Sequence, residues 1–278
     1  MKKILVPTEF TYLSKCALNL GIQIAKLANA KMDVVSVIEP NYNEFMEEYE
    51  TYSHDPTSTL KNIQITEESR ERMHERAEEI AKWLPGQNVI PKILFGDKIN
   101  SIKKEIDDQH IDLVIMGGDL YDPKDEKSNR LLYQSDAPVV ILKCMISGLE
   151  KFKDIILLMD SDHDSSELIH NLKALQKLLN AKIHVIRVNT SKNFLSPTEC
   201  DKSLDSYSSK HKLENFKTES LEATTEMDGL MDYCETIDNA FVALGVHKRS
   251  FLQKLITNQS KAEEIIANSV HPIWTYRS

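Results

Sequence analysis

No apolar run in this 278-residue chain approaches the roughly 18–20 residues needed to cross a bilayer, which excludes a membrane-spanning helix. The opening MKKILVPTEF carries two lysines but breaks its apolar run at once, so no secretory leader is expected. Cysteine is sparse: Cys16, Cys144, Cys200 and Cys234 form no Cys-x-x-Cys pair, and free thiols in a reducing cytoplasm are the expectation. Positive charge is in deficit as well. With 34 Lys and Arg against 43 Asp and Glu, the formal charge of −9 argues against a nucleic-acid binder, which needs a basic surface. Neither nucleic acid nor a membrane is therefore expected as a partner. What remains is 41% hydrophobic and 28% charged, the balance of a globular protein long enough for two domains.

What is present is a repeat. The stretch from Ile4 to Val37 returns 151 positions later, so that ILVPTEF falls on IILLMDSD and Asn29-Ala30-Lys31 on Asn180-Ala181-Lys182 with no gap. Glu9 falls on Asp160, Val35 on Ile186 and Val37 on Val188. A fixed offset of this length predicts two copies of one domain, residues 1–145 and 152–278.

Within the first copy, Lys3–Pro7 is a short apolar run typical of a strand buried on both faces. Thr11 is placed to cap a helix over Tyr12–Ala28, whose stripe is Leu13, Ala17, Leu20, Ile24 and Leu27. Lys31–Val37 is the second strand. The acidic, aromatic stretch 39–66 reads as an inserted loop over the carboxyl end of the sheet. A charged helix follows over Glu67–Leu84, with Met73, Ala77, Ile80 and Ala81 as its stripe, then strands at Val89–Leu94, Ile111–Met116 and Val139–Leu142 with helices between. The second copy repeats the plan: strands at 154–159, 182–188, 216–222, 240–244 and 273–276 alternate with helices at about 164–180, 199–210, 226–237 and 260–268. Such alternation predicts an α/β protein with two tandem doubly wound, Rossmann-like open parallel sheets of about five strands each, binding ligands beyond the carboxyl ends of the strands.

Four places in the first half, ILVPTEF, the NAK turn, VIMGG and SDAPVVIL, resemble the universal stress protein family in its tandem form. The closing FVALGVHKRSFLQKLITNQSKAEEIIANSVHPIWTY resembles that family's final segment. The resemblance implies a Gly-x-x-Gly turn after the fourth strand and a Gly-Ser/Thr pair opening the last helix, where glycines admit phosphates to the backbone and a helix N-terminus. Both copies depart from this. In the second, Gly245 is followed by His247 and by Lys248 at the second glycine position, and Gln259-Ser260 replaces Gly-Ser. In the first, Gly117-Gly118 is followed by Leu120, and Asp125-Glu126 fall near the Gly-Ser position.

The candidate nucleotide-site residues implied by the family are thus Asp160, Val185, Gly245, His247, Lys248 and Ser260 in the second copy, and Glu9, Val35, Gly117 and Gly118 in the first. Glu9 and Asp160 hold the acidic position beside the family's adenosine, although an acidic residue near a helix N-terminus is also favoured by the helix dipole alone. Asp160-Ser-Asp-His163-Asp164 suits an Asx turn and cap better than a metal site, and no metal is expected. His247 and His271 lie near no nucleophile motif. Phe45, Tyr49 and Tyr52 can form a lid or simply pack the insert.

The expectation is a cytoplasmic, non-catalytic stress-response protein with no cofactor and two degenerate nucleotide sites. Its last strands, Val139–Leu142 and Ile273–Tyr276, should associate antiparallel as a pseudo-dimer or in a homodimer. An ATP-binding switch or weak ATPase using the second copy is the alternative, and a pocket for another small molecule is a third possibility.

Overall fold

The computed structural model describes residues 1–39, 67–84, 89, 91–118, 131–132, 135–143, 146, 148–159, 166–246 and 269–277. The insert with Phe45, Tyr49 and Tyr52, the Leu120 and Asp125-Glu126 loop, the Asp160–Asp164 run, and His247, Lys248, Gln259 and Ser260 lie outside the described residues.

The first half runs β1 (Lys3–Pro7), α1 (Tyr12–Ala28), β2 (Lys31–Ile38), α2 (Glu67–Trp83), β3 (Pro91–Phe95), α3 (Lys98–Gln109), β4 (Leu113–Gly117) and β5 (Val139–Leu142). The second runs β6 (Asp154–Leu158), α4 (Ser166–Leu179), β7 (Lys182–Asn189), α5 (Pro197–Lys210), β8 (Phe216–Glu222), α6 (Glu226–Glu235), β9 (Ala240–Val246) and β10 (Ile273–Arg277). The two sets of five strands form one ten-stranded sheet in the order β3-β2-β1-β4-β5-β10-β9-β6-β7-β8. Every neighbouring pair is parallel except β5 and β10, which run antiparallel with Trp274 opposite Val140. Two edges that would otherwise offer unpaired N–H and C=O groups thereby close each other.

The repeated Asn-Ala-Lys has a backbone cause. Asn29 and Asn180 adopt left-handed φ of 50° and 49°, a conformation Asn tolerates at a helix end. The following amides return into the last turn, Ala30 N–H to Ala25 O at 2.9 Å and Ala181 N–H to Gln176 O at 3.1 Å. Lys31 and Lys182 then donate to Lys2 O and Lys153 O, both at 2.8 Å, which launches the next strand in register.

Apolar layers cover both faces of the sheet, and each runs across the join. One packs Ile4, Val6, Leu20 and Ile24 in a single cluster with Ile155, Leu172, Phe241 and Trp274. The other joins Val35, Ile99, Ile102 and Ile106 to Ile186, Leu230 and Val242. Two stripe residues and one helix start differ from the sequence reading. Leu27 is 53% exposed and Ala81 also faces solvent, whereas Ala17, Leu20, Ile24 and Ile80 of the expected stripes are buried. Helix α5 starts at Pro197, with Ser196 and Glu199 forming a capping box that the polar composition of 190–199 concealed.

Candidate functional site

Strand order reverses between β1 and β4 and between β6 and β9, so ligands are to be sought at the carboxyl ends of these strands. Beside the first of these points lies a cleft of about 540 Å³. Its floor is Phe10, Val37 and Ile38, and its walls carry Glu9, Glu39, Arg72, Glu75, Arg76, Glu79 and Lys98.

The turn from β1 to α1 sets one wall. Thr8 donates its amide to Val35 O at 2.8 Å, Glu9 donates its amide to Ser14 Oγ at 3.1 Å, and Thr11 accepts from Ser14 N–H at 3.0 Å as the cap of α1. Between these anchors Phe10 takes φ 60°, costly for an aromatic residue and sustained only by the contacts around it. Those contacts are Trp83, edge-on at 5.2 Å between ring centroids, and the Arg76 guanidinium 4.7 Å above the ring. The ring is therefore already engaged by Trp83 and Arg76. Glu9 is tied to Lys98 Nζ at 3.1 Å, and Lys98 donates its amide to Glu39 at 3.3 Å at the N-terminus of α3, where a carboxylate is favoured by the helix dipole. The cleft thus presents four carboxylates and three cations over an apolar floor, with no serine, cysteine or histidine among its described lining residues. It can hold a polar ligand of mixed charge.

Of the candidate residues in this half, Glu9 lines the cleft and Val35 does not. Val35 is wholly buried in the apolar layer, and Val37, two residues along the same face, lines the floor in its place. Gly117 ends β4 opposite Leu142. Gly118 is glycine because Lys143 lies on it: a Cβ there would stand 2.8 Å from Lys143 Cγ and 3.0 Å from Leu142 O. Burial pushes the Lys143 amine below the usual lysine value. Sequence reasoning missed Phe10, Arg72, Arg76, Glu79 and Lys98. The spacing of residues 72, 76 and 79 puts them on one face of α2, which was the signal available.

In the second half, Gly245 lies in β9 opposite Tyr276, and Val185 is buried beside Leu157. Asp160, His247, Lys248 and Ser260 lie outside the described residues. The end of β7 carries a cross-braced loop. Asn193 accepts from Thr190 N–H at 2.6 Å and donates to Val188 O at 3.2 Å and to Glu226 at 3.0 Å, while Arg187 donates to Asn193 O at 3.0 Å. Asn189 and Leu195 exchange two further bonds, at 2.7 and 3.0 Å. Among the described residues no group of three or more His, Cys, Asp and Glu is arranged to hold a metal, and no helix is long and apolar enough to cross a membrane.

The sequence model of the universal stress protein family matches residues 1–143, just over half of the chain. The chain belongs to that family. Among solved structures, a universal stress protein from Archaeoglobus fulgidus DSM 4304 superposes with a TM-score of 0.71 at 16% identity, covering 99% of this chain and 96% of that one. A putative universal stress protein from Pseudomonas aeruginosa UCBPP-PA14 gives 0.61 at 14% identity, covering 100% and 93%. At such identities the likeness is one of fold. None of the curated proteins matches the chain.

Proposed function

We propose that this universal stress protein acts in the stress response by binding rather than by catalysis, with degenerate nucleotide sites in both halves and no resident cofactor. The observation that carries this reading in the first half is the departure from the family's phosphate turn, with Leu120 at the second glycine position and Asp125-Glu126 near the Gly-Ser position. At Gly118, the residue after the first motif glycine, a Cβ would meet Lys143 Cγ at 2.8 Å and Leu142 O at 3.0 Å. In the second half the same reading rests on sequence, since Lys248 and Gln259 each put a Cβ where the family's phosphate turn uses glycine. Residues 1–145 and 152–278 are its two units. They form a tandem pseudo-dimer through β5 and β10, in the cytoplasm, where the buried thiols of Cys16, Cys200 and Cys234 stay free.

The test is thermal unfolding of the intact chain with and without millimolar ATP and magnesium. No shift is expected. A nucleotide present at about 100 times its dissociation constant would stabilise the fold by about 2.7 kcal/mol, which is readily seen, and such a shift would put the ATP-switch reading first. The double change Lys248→Gly with Gln259→Gly should restore part of the binding.

The cleft at Glu9 and Lys98 favours a second reading, in which the first half binds a small polar molecule other than a nucleotide. Native mass spectrometry of freshly purified protein tests it, because a co-purifying ligand adds its mass to the chain.

A further inference from the structure

The repeat offset of 151 residues carries Lys3 onto Asp154 and Asp33 onto His184. In the first half Lys3 Nζ and Asp33 form an ion pair at 3.1 Å, reinforced by Lys92 at 2.8 Å. In the second half the same two positions hold a pair with the signs exchanged, Asp154 Oδ1 to His184 Nε2 at 2.8 Å. One pair is charged at every physiological pH, and the other only when the histidine is protonated.

The imidazole of His184 is 4% exposed, and its protonation state follows from its partners. Asp154 can only accept, so Nε2 carries the proton. Nδ1 of the neutral ring then accepts from Tyr233 O–H at 3.1 Å. Tyr233 belongs to α6, so this chain of two hydrogen bonds ties α6 through β7 to β6. A second proton, on Nδ1, forbids that O–H from donating, and the bond must reverse. The reversal sets the imidazolium against a phenol that Lys217 on β8 already approaches, its Nζ 5.5 Å from the Tyr233 ring centroid, with the Glu219 carboxylate also beside it.

We infer that the Asp154–His184–Tyr233 chain is an acid-released strut: it holds α6 on the sheet while His184 is neutral and loosens that helix when His184 is protonated. The groups around the ring are Asp154 from β6, Lys217 from β8, Tyr233 from α6 and Lys182 on its own strand, and Glu219 from β8 acts on Tyr233. Burial first, and then the Lys217 cation, push the imidazole below its ordinary value against the pull of Asp154. The native state thus takes the proton later than the open state does. The strut is intact above about pH 6.5 and weakens as pH falls below it, by up to about tenfold in the opening equilibrium per pH unit. His271 also touches α6, at Cys234 O with 3.0 Å, but a donated bond of this kind survives protonation and a cation suits a helix C-terminus.

The test combines a histidine NMR titration with amide hydrogen exchange on the intact chain at pH 7 and pH 5.5, corrected for intrinsic rates. His184 is expected to titrate below 6.5. Protection of residues 226–235 should fall several-fold to tenfold at the lower pH, while that of residues 98–109 in α3, the equivalent helix of the first half, holds. His184→Gln should abolish the pH-dependent loss in α6. A His184 titration at or above 6.5, an α6 whose protection ignores pH, or a loss that persists in His184→Gln each overturns the strut. Should the variant not fold, the wild-type titration and the comparison of α6 with α3 decide alone.

Discussion

Asp33 sits between Lys3 and Lys92, and Lys92 reaches on to Glu105, so four charges from β1, β2, β3 and α3 share one half-buried position. Burial by itself pushes the Asp33 carboxyl up, but the hydrogen bonds from Lys92 and Lys3 outweigh it and hold the carboxyl below its ordinary value. A carboxylate whose native value is depressed contributes stability that is present above its unfolded value, about 3.9, and is lost as pH falls through the native one. Asp33→Asn should therefore cost about 1–3 kcal/mol at pH 7, and the gap from the parent protein should close as pH drops below about 4. Urea unfolding across that range measures it; an equal cost at both ends would mean that the ion pairing contributes nothing. His184, at the same place in the other half, is depressed as well and likewise loses its contribution as pH falls, but in a higher window, because its ordinary value is about 6.5.

Elements in this chain start and stop for local reasons that the sequence shows plainly. Helix α1 begins where Thr11 accepts the Ser14 amide, α3 where Asp97 accepts the Asn100 amide at 2.9 Å, and α6 where Thr225 accepts the Asp228 amide at 3.1 Å. Helices α1 and α4 end at asparagines in the left-handed region. Because only the backbone conformation is demanded there, Asn180→Gly should be neutral or slightly stabilising, whereas Asn180→Val should cost about 1–2 kcal/mol, a left-handed β-branched residue being strained. Chemical denaturation of the two variants separates conformational strain from any role of the asparagine side chain, since Gly and Val both lack the amide. Element ends were less legible where the signal was compositional. The capping box at Ser196 hid in a polar stretch, and Leu27 was drawn into a stripe that the helix turns away from the sheet.

At the scale of the whole molecule, the join between β5 and β10 turns two five-stranded sets into one sheet. Trp274 is 1% exposed in the middle of β10, opposite Val140, and its neighbour Thr275 donates a side-chain hydrogen bond to Val139 O at 3.1 Å. Truncation by Trp274→Ala leaves a large cavity at the centre and should cost about 3–5 kcal/mol. Its signature is spatial: amide exchange should accelerate in β5 of the first half as well as in β9 and β10 of the second. Exchange that changes only in the second half would mean that the halves are mechanically independent despite the shared ladder.

The sequence by itself determined the repeat, the α/β alternation, the two sets of five strands and the apolar closing strands, because each of these is a periodicity or a local backbone preference. It also flagged Glu9 and Gly118 as site positions. Only the tertiary structure decided what those positions do. Glu9 is occupied by Lys98, 89 positions further along the chain, and Gly118 makes room for Lys143. The wall of the cleft comes from α2, whose charges look in sequence like any solvated helix face until the fold lays them over Phe10. The exchange of Lys3–Asp33 for Asp154–His184 can be written down from the repeat, yet its consequence needs the burial of His184 and the position of Tyr233, 49 residues away. Periodicity is a property of neighbours along the chain, whereas charge pairing and desolvation depend on which distant residues meet, and the packing of the sheet sets that.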